Sequence, residues 1–317
     1  MIRITIILLV LICTIASFSP MLYTNNEAEE IAILNTNTNS ELDQKINTLN
    51  KKLINAAKSK DFSSVKQIYT DDALLLTDYH PIIDGISNIE IYYSNIFQKQ
   101  DVTIYTKETT EILDLGNRIM EIGTFQKTCT NMEPLHGKYW NVWKPLEDGQ
   151  LRLESESFGY SHKVADLVPI LVKEIQEKAP GPDIRNGKKI LPELQAYDAF
   201  GKEHVRERNV EKVICTYTED CKYYRFANTV IEGRENLEEY YKGYYGHPVT
   251  IDSISISTYD YTQVNNGFIK YSKFYVEWTV PDFSGKTEGT NTIFWRREED
   301  CTLKKHRLIG FHLPDTN

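Results

Sequence analysis

Tyr69-Thr70-Asp71-Asp72-Ala73 returns 148 residues later as Tyr217-Thr218-Glu219-Asp220-Cys221. The same offset carries Ile83-Asp84-Gly85 onto Ile231-Glu232-Gly233, Asn88-Ile89-Glu90 onto Asn236-Leu237-Glu238, and Tyr92-Tyr93 onto Tyr240-Tyr241. Farther along, Gly137, Trp143, Asp148 and Leu151 fall on Gly289, Trp295, Asp300 and Leu303 at an offset of 152. The second copy therefore holds four more residues in between. A period this long is a duplicated domain and far exceeds a solenoid unit.

Periodicity supplies the elements of one copy. Leu42, Ile46, Leu49, Leu53, Ala56 and Ala57 recur at helical spacing and predict an amphipathic helix over 41–59. Val65, Ile68 and Tyr69 suit a second, short helix, and Ala73–Thr77 a short strand. Ile86, Ile89, Tyr93, Ile96 and Phe97 give a third helix its buried face. The pattern then changes to strands at 102–114, 118–129, 137–145 and 151–162, separated by turn signals such as Gly116-Asn117 and Asp148-Gly149. The second copy repeats this order, with helices at 193–208 and 234–245 and strands at 249–262, 267–280, 286–297 and 302–313. Three helices followed by a long antiparallel sheet is an α+β pattern. Such a sheet twists and curls, so helices laid on its concave face give a cone with one open end.

The chain has 317 residues and a net charge of −9, from 36 basic and 45 acidic residues. That balance excludes a nucleic-acid-binding surface. Its 41% hydrophobic and 26% charged residues fit folded domains and exclude a multi-pass membrane protein. The N-terminus reads as an export signal: Arg3, an apolar run over Ile4–Ile12, and the small-x-small site Thr14-Ile15-Ala16. Retention as a membrane anchor and lipidation at Cys13 are the alternatives. The expected organisation is a signal region over 1–23, a flexible leader over 24–40, the first domain over 41–162, a linker over 163–192 and the second domain over 193–317. The expected location is outside the cytoplasm, secreted or periplasmic. Export permits disulfides, and Cys129, Cys215, Cys221 and Cys301 allow three pairings or none.

Tyr69-Thr70-Asp71-Asp72-Ala73-Leu74-Leu75-Leu76, Gly85, Tyr92-Tyr93 and Gly137-Lys138-Tyr139-Trp140-Asn141-Val142-Trp143 with Asp148-Gly149 resemble the nuclear transport factor 2-like superfamily. Within it they are most similar to the SnoaL-like and ketosteroid-isomerase-like group. The resemblance implies two tandem cone-shaped α+β barrels, each with three helices packed on a curved antiparallel sheet and a pocket at its wide end. It also implies pairing through the sheets, so two fused copies would dock as an intramolecular pseudo-dimer. The family works without a cofactor and includes isomerases, cyclases, dehydratases and non-catalytic binding modules, so fold does not choose among them.

Candidate catalytic residues are few. Asp71-Asp72 reads as a turn pair whose side chains bond nearby amides. The ketosteroid isomerase base position falls on Thr77 in one copy and Arg225 in the other, neither a carboxylate. Asp78 is one residue late, and one step along a strand reverses the face. Glu156 stands where the SnoaL-like group often carries an acid, and a carboxylate inside a cone can move protons. Its counterpart is Leu308. No spacing of His, Cys or carboxylates matches a metal site. Aromatic residues on cone-building elements suit the walls for an uncharged ring-shaped ligand: Tyr93, Tyr139, Trp140, Tyr223, Tyr241 and Trp278. Trp140 and Tyr223 are unmatched between copies, facing Thr292 and Leu75 in the alignment, and so are the better pocket candidates.

Two functions follow. The first is an exported small-molecule-binding or scaffold protein without catalysis, holding a small apolar or aromatic molecule in its cones or a protein partner on its outer faces. The second is a cofactor-independent isomerase, cyclase or dehydratase working in the first domain through Asp78 or Glu156. They separate on one point: an enzyme needs a carboxylate in a closed pocket, within about 3 Å of a bound atom.

Overall fold

A computed structural model of the chain describes residues 26–130, 132–176 and 184–314, so the signal region 1–23 lies outside the described residues. The first helix, α1, is Asn26–Ser59 and thus longer than 41–59. It begins inside the stretch expected to be a flexible leader. The segment has no Gly or Pro, and Glu27, Ala28, Glu29, Glu30, Ala32 and Leu34 favour helix even without an apolar stripe. A 3-10 turn at Lys66–Ile68 leads into strand β1, Tyr69–Thr77. Next come β2 (Ile83–Asp84) and helix α2 (Ile86–Lys99). Four long strands complete the first half: β3 (Val102–Asp114), β4 (Ile119–Cys129), β5 (Leu135–Pro145) and β6 (Leu151–Tyr160).

After the short helix α3 (Lys173–Gln176) the second half repeats this order. Helices α4 (Pro192–Glu207) and α5 (Val210–Ile214) precede β7 (Tyr217–Tyr224), β8 (Val230–Glu232) and α6 (Arg234–Gly246). Strands β9 (Thr250–Val264), β10 (Gly267–Val280), β11 (Phe283–Arg297) and β12 (Leu303–His312) follow. The sheets run β2-β1-β6-β5-β4-β3 and β8-β7-β12-β11-β10-β9. Neither is purely antiparallel as expected, because β1 lies parallel to β6 and β7 parallel to β12.

The repeat extends to irregularities. In the first half Tyr69 pairs with Leu153 and Leu74 with Ser155; in the second Tyr217 pairs with Lys305 and Lys222 with Arg307. The same bulge thus holds the acidic pairs Asp71-Asp72 and Glu219-Asp220, and their extra residues bend the strand. All four are exposed. Gly85 and Gly233 enter α2 and α6 at φ +81° and +82°, a backbone conformation that excludes most side chains. Their N–H groups donate to Ala73 O and Cys221 O. Over β3–β4 and β9–β10 the register sets Tyr105/Lys127 against Ile254/Val276, and Thr109/Gly123 against Thr258/Ser272. The offset there is 149, so the remaining length difference falls in the longer β10–β11 hairpin.

One buried cluster draws on the outward faces of both sheets. Leu74, Leu76, Met120, Ile122, Trp140 and Val142 meet Tyr224, Tyr259, Ile269, Tyr271, Phe294, Ile309 and Phe311. Each such side chain removed from water contributes about 1.5–3 kcal/mol. Polar pairs stitch the same contact: Ser155 Oγ with Tyr271 OH at 2.8 Å, Ser157 Oγ with Thr292 Oγ1 at 2.9 Å, and Arg307 with Glu111 at 2.5 Å. The connector also packs. Val164 and Ile170 are buried with Tyr79 and Tyr160, and Arg185 reaches Asp84 of one half and Asp260 of the other.

Candidate functional site

Each cone holds a cavity, and the two differ in size and chemistry. The first is about 40 Å³, room for a few water molecules. Glu156 lies in its wall, where its Oε2 accepts the hydroxyls of Tyr69 at 2.6 Å and Tyr93 at 2.7 Å. Burial, reinforced by the Glu156 charge, pushes both phenols well above their ordinary value. Lys107 and Lys127 complete a charged lining. Burial pushes Lys127 down to about 8, against Cys129 and Glu156, and lowers Lys107, against Glu121 and Glu156.

Beside this cavity Glu121, on β4, is a carboxylate that sequence reasoning missed. It receives Asn50 Nδ2 (2.6 Å), Thr109 Oγ1 (2.8 Å), Tyr139 OH (2.7 Å), Asn141 Nδ2 (3.0 Å) and Trp143 Nε1 (2.9 Å). Burial opposes its charge, yet Lys107 and these donors outweigh burial and hold the carboxyl below its usual value. A glutamate set between Met120 and Ile122 on a buried strand was the available signal.

Tyr139 explains why the first cone is full. Its ring packs over Gly123, where a Cβ would lie 2.6 Å from the ring. In the second cone the register puts Asn291 opposite Ser272 at these positions. Tyr105, Lys107 and Lys127 give way to Ile254, Ile256 and Val276, and Glu156 to Leu308. The outcome is a cavity of about 200 Å³. Its apolar wall is Ile254, Ile256, Phe274, Val276, Ile293 and Leu308. Its polar groups include Asp198 and His204 from α4, Lys270 and Ser272 from β10, Asn291 and Trp295 from β11, and Lys305 and His312 from β12, with the hydroxyls of Tyr197, Tyr217, Tyr223 and Tyr241.

Several of these polar atoms have no protein partner. Ser272 Oγ, Asn291 Oδ1, Trp295 Nε1 and both ring nitrogens of His204 are buried and unsatisfied. Buried polar groups are normally paired, so this concentration marks a place where something else completes the bonding. Burial, with Lys305 and Lys212 adding repulsion, pushes His204 down to about 3. Lys270 donates to Asp198, whose Oδ2 also accepts Thr258 N at 2.9 Å and Thr258 Oγ1 at 2.6 Å.

The expected site residues separate into five places. Tyr93, Tyr139 and Glu156 line the first cavity, and Tyr223 and Tyr241 the second. Trp140 faces the other way, meeting Tyr224 edge to face at 5.6 Å in the contact between sheets. Trp278 lies toward the outer end of β10, against Phe283, with Nε1 donating to Thr287 Oγ1 at 3.1 Å. Asp78 lies outside both cavities. It is 1% exposed, and its Oδ2 accepts Tyr160 N at 2.6 Å. Burial raises Asp78 and lowers Lys138, and their opposite charges moderate both shifts. Lys138 also donates to the carbonyls of Tyr160, Arg225 and Asn228. Among the described residues Cys129, Cys215, Cys221 and Cys301 are free.

Each half is an α+β unit of helices on a curved six-stranded mixed sheet, and the chain carries two in tandem. Among solved structures it is similar to a nuclear transport factor 2-like protein from Cytophaga hutchinsonii: 18% identity over 37% of this chain and 95% of that one, TM-score 0.32. A ketosteroid isomerase-like protein from Erwinia carotovora atroseptica is 16% identical over 37% and 94% of the two chains, TM-score 0.33. A candidate dehydratase from Streptomyces avermitilis, itself of the nuclear transport factor 2-like family, is 14% identical over 39% and 99%, TM-score 0.34. No model of a protein family matches the chain, and no curated protein matches it in sequence.

Proposed function

We propose that this is an exported binding protein that holds a small molecule with an apolar or aromatic body in its second cone. The N-terminal segment serves export. The two cones form an intramolecular pseudo-dimer, in which the filled first cone supports the open one. The observation that carries this reading is the 200 Å³ cavity with partnerless polar atoms on an apolar, ring-lined wall. A cavity of about 150 Å³ holds a benzene ring, so one ring or a short chain fits.

Native mass spectrometry of the protein from its own host tests the reading. A retained small molecule is expected in the wild type. The double variant Ser272→Gly/Asn291→Tyr rebuilds the first cone's plug in the second and should lose it. Wild-type protein of unadorned mass that also takes up no ring-sized probe would sink the proposal.

One observation favours a second reading, cofactor-independent isomerase or dehydratase chemistry in the first cone. Glu156 is a buried carboxylate in the wall of the first cone's small cavity, with two phenols on one oxygen. Turnover abolished by Glu156→Gln, with binding retained, would support it.

A further inference from the structure

We propose that the ligand of the second cone is a small organic anion, its acid group set on Lys305 and its hydrocarbon body running along β10 and β11 toward Phe274 and Val276. This rests on the binding reading above and names the chemical class that fits.

The charges in the wall do not balance. Two lysines and one aspartate line the cavity, with two histidines, His204 held neutral and His312 packed on Phe274 at the far end. Lys270 is already engaged by Asp198. Lys305 instead lies over the rings of Tyr217, 4.8 Å from the centroid, and Trp295, 5.4 Å away. Among the described residues no carboxylate or hydrogen-bond acceptor meets its ammonium. An enclosed cation without a counter-charge is costly, and an anion entering the cavity would remove that cost. The first cone has Leu153 at this register position, so the lysine is not demanded by the shared framework.

The donors and the apolar surface are ordered along the cavity. At one end Lys305 pairs across the strands with Trp295, whose Nε1 lacks an acceptor. The next inward row holds Ile293 and Leu308, then Ser272 and Asn291, then Phe274. Rows two residues apart on a strand are spaced by about 6.8 Å. An acid group at Lys305 and Trp295 thus leaves a body of one ring or about six carbons against Ile293 and Leu308 in the next row, on the side of the cavity that leads to Phe274. A neutral ring would leave the ammonium unmatched.

Calorimetric titration of the purified full chain with matched probes tests this: benzoate and hexanoate against benzamide and hexanol. The carboxylates should bind at least tenfold more tightly than their neutral partners near neutral pH. Lys305→Met should abolish that preference, and Lys305→Arg should keep it, with far-UV circular dichroism confirming that both variants fold. Equal binding of charged and neutral probes, or a preference that survives Lys305→Met, overturns the anion assignment and leaves the binding reading standing. Binding of neither class overturns both.

Discussion

Lys270 donates to Asp198 at the two positions where, in the first cone, Asn50 donates to Glu121. The helix residue and the strand residue are kept, but donor and acceptor have changed sides, and the negative charge has moved from strand to helix. Asp198→Ala would leave an ammonium 3% exposed with no partner. Breaking a buried pair in this way costs about 3–5 kcal/mol. Urea unfolding should show that loss, and Asp198→Ala/Lys270→Met should recover most of it. A single variant as stable as the wild type would refute the pairing.

Trp140 and Tyr224 make a different test, because they belong to different halves. Truncating a fully buried tryptophan costs about 3–5 kcal/mol. If the sheets stabilise each other, Trp140→Ala lowers the unfolding midpoint of both halves together. Tryptophan fluorescence from Trp143 and Trp295, each isolated by replacing the others with Phe, reads the halves separately. A shift confined to the first half would mean that the cones are energetically independent.

That pair also shows what the sequence could and could not convey. Helix and strand positions were legible because their apolar periods are clear, and the duplication was legible because its glycines, Trp143/Trp295 and tyrosine pairs keep fixed offsets. Trp140 was noticed for lacking a counterpart, since Thr292 aligns with it. Its direction was not legible: it is one step from Tyr139, and one step reverses the face. Tyr139 points into the cone and Trp140 into the sheet contact. The unequal cavities were hidden for a related reason. Tyr139 fills its cone only because Gly123 lies opposite, and that pairing is a matter of register across two strands. The two-residue β2 and the parallel pairing of β1 with β6 leave no periodic signal at all.

His80 ties the connector to β1. Its Nδ1 lies 3.1 Å from Asp78 O and its Nε2 3.1 Å from Val172 N. The ring therefore donates at Nδ1 and accepts at Nε2, which requires the neutral form. Burial pushes it down to about 4, with the Asp78 carbonyl opposing and Lys99 assisting. The Tyr92 ring closes the remaining side, edge to face at 5.1 Å. The folded value lies below the ordinary 6.5, so the unfolded chain binds the proton first. The contribution is complete above about pH 6.5 and is lost as pH falls toward about 4. Between pH 7 and pH 5 it amounts to about 2 kcal/mol. The wild type should lose that much more stability over this range than His80→Gln. Parallel pH profiles of the two proteins would show that His80 does not carry the effect.

Lys305 predicts a pH dependence of binding in the opposite direction. Burial pushes it down to about 7, Lys270 adds repulsion, and Asp198 and Cys215 act against the shift. The other groups facing it are neutral His204 and the rings of Tyr217 and Trp295. Below about pH 7 the ammonium is already formed and a carboxylate probe meets its counter-charge. Above that value the empty cavity must take up a proton before the anion is matched. Affinity for benzoate should therefore fall roughly tenfold per pH unit above about 7, until the raised value in the complex is reached. Benzamide should show no such slope. Arginine stays protonated over this range, so Lys305→Arg should flatten the benzoate curve. Calorimetry in two buffers of different ionisation enthalpy should also show proton uptake on binding at about pH 8, vanishing in Lys305→Arg. Benzoate affinity constant from about pH 6 to pH 9 in the wild type would show that the acid group does not sit on this lysine.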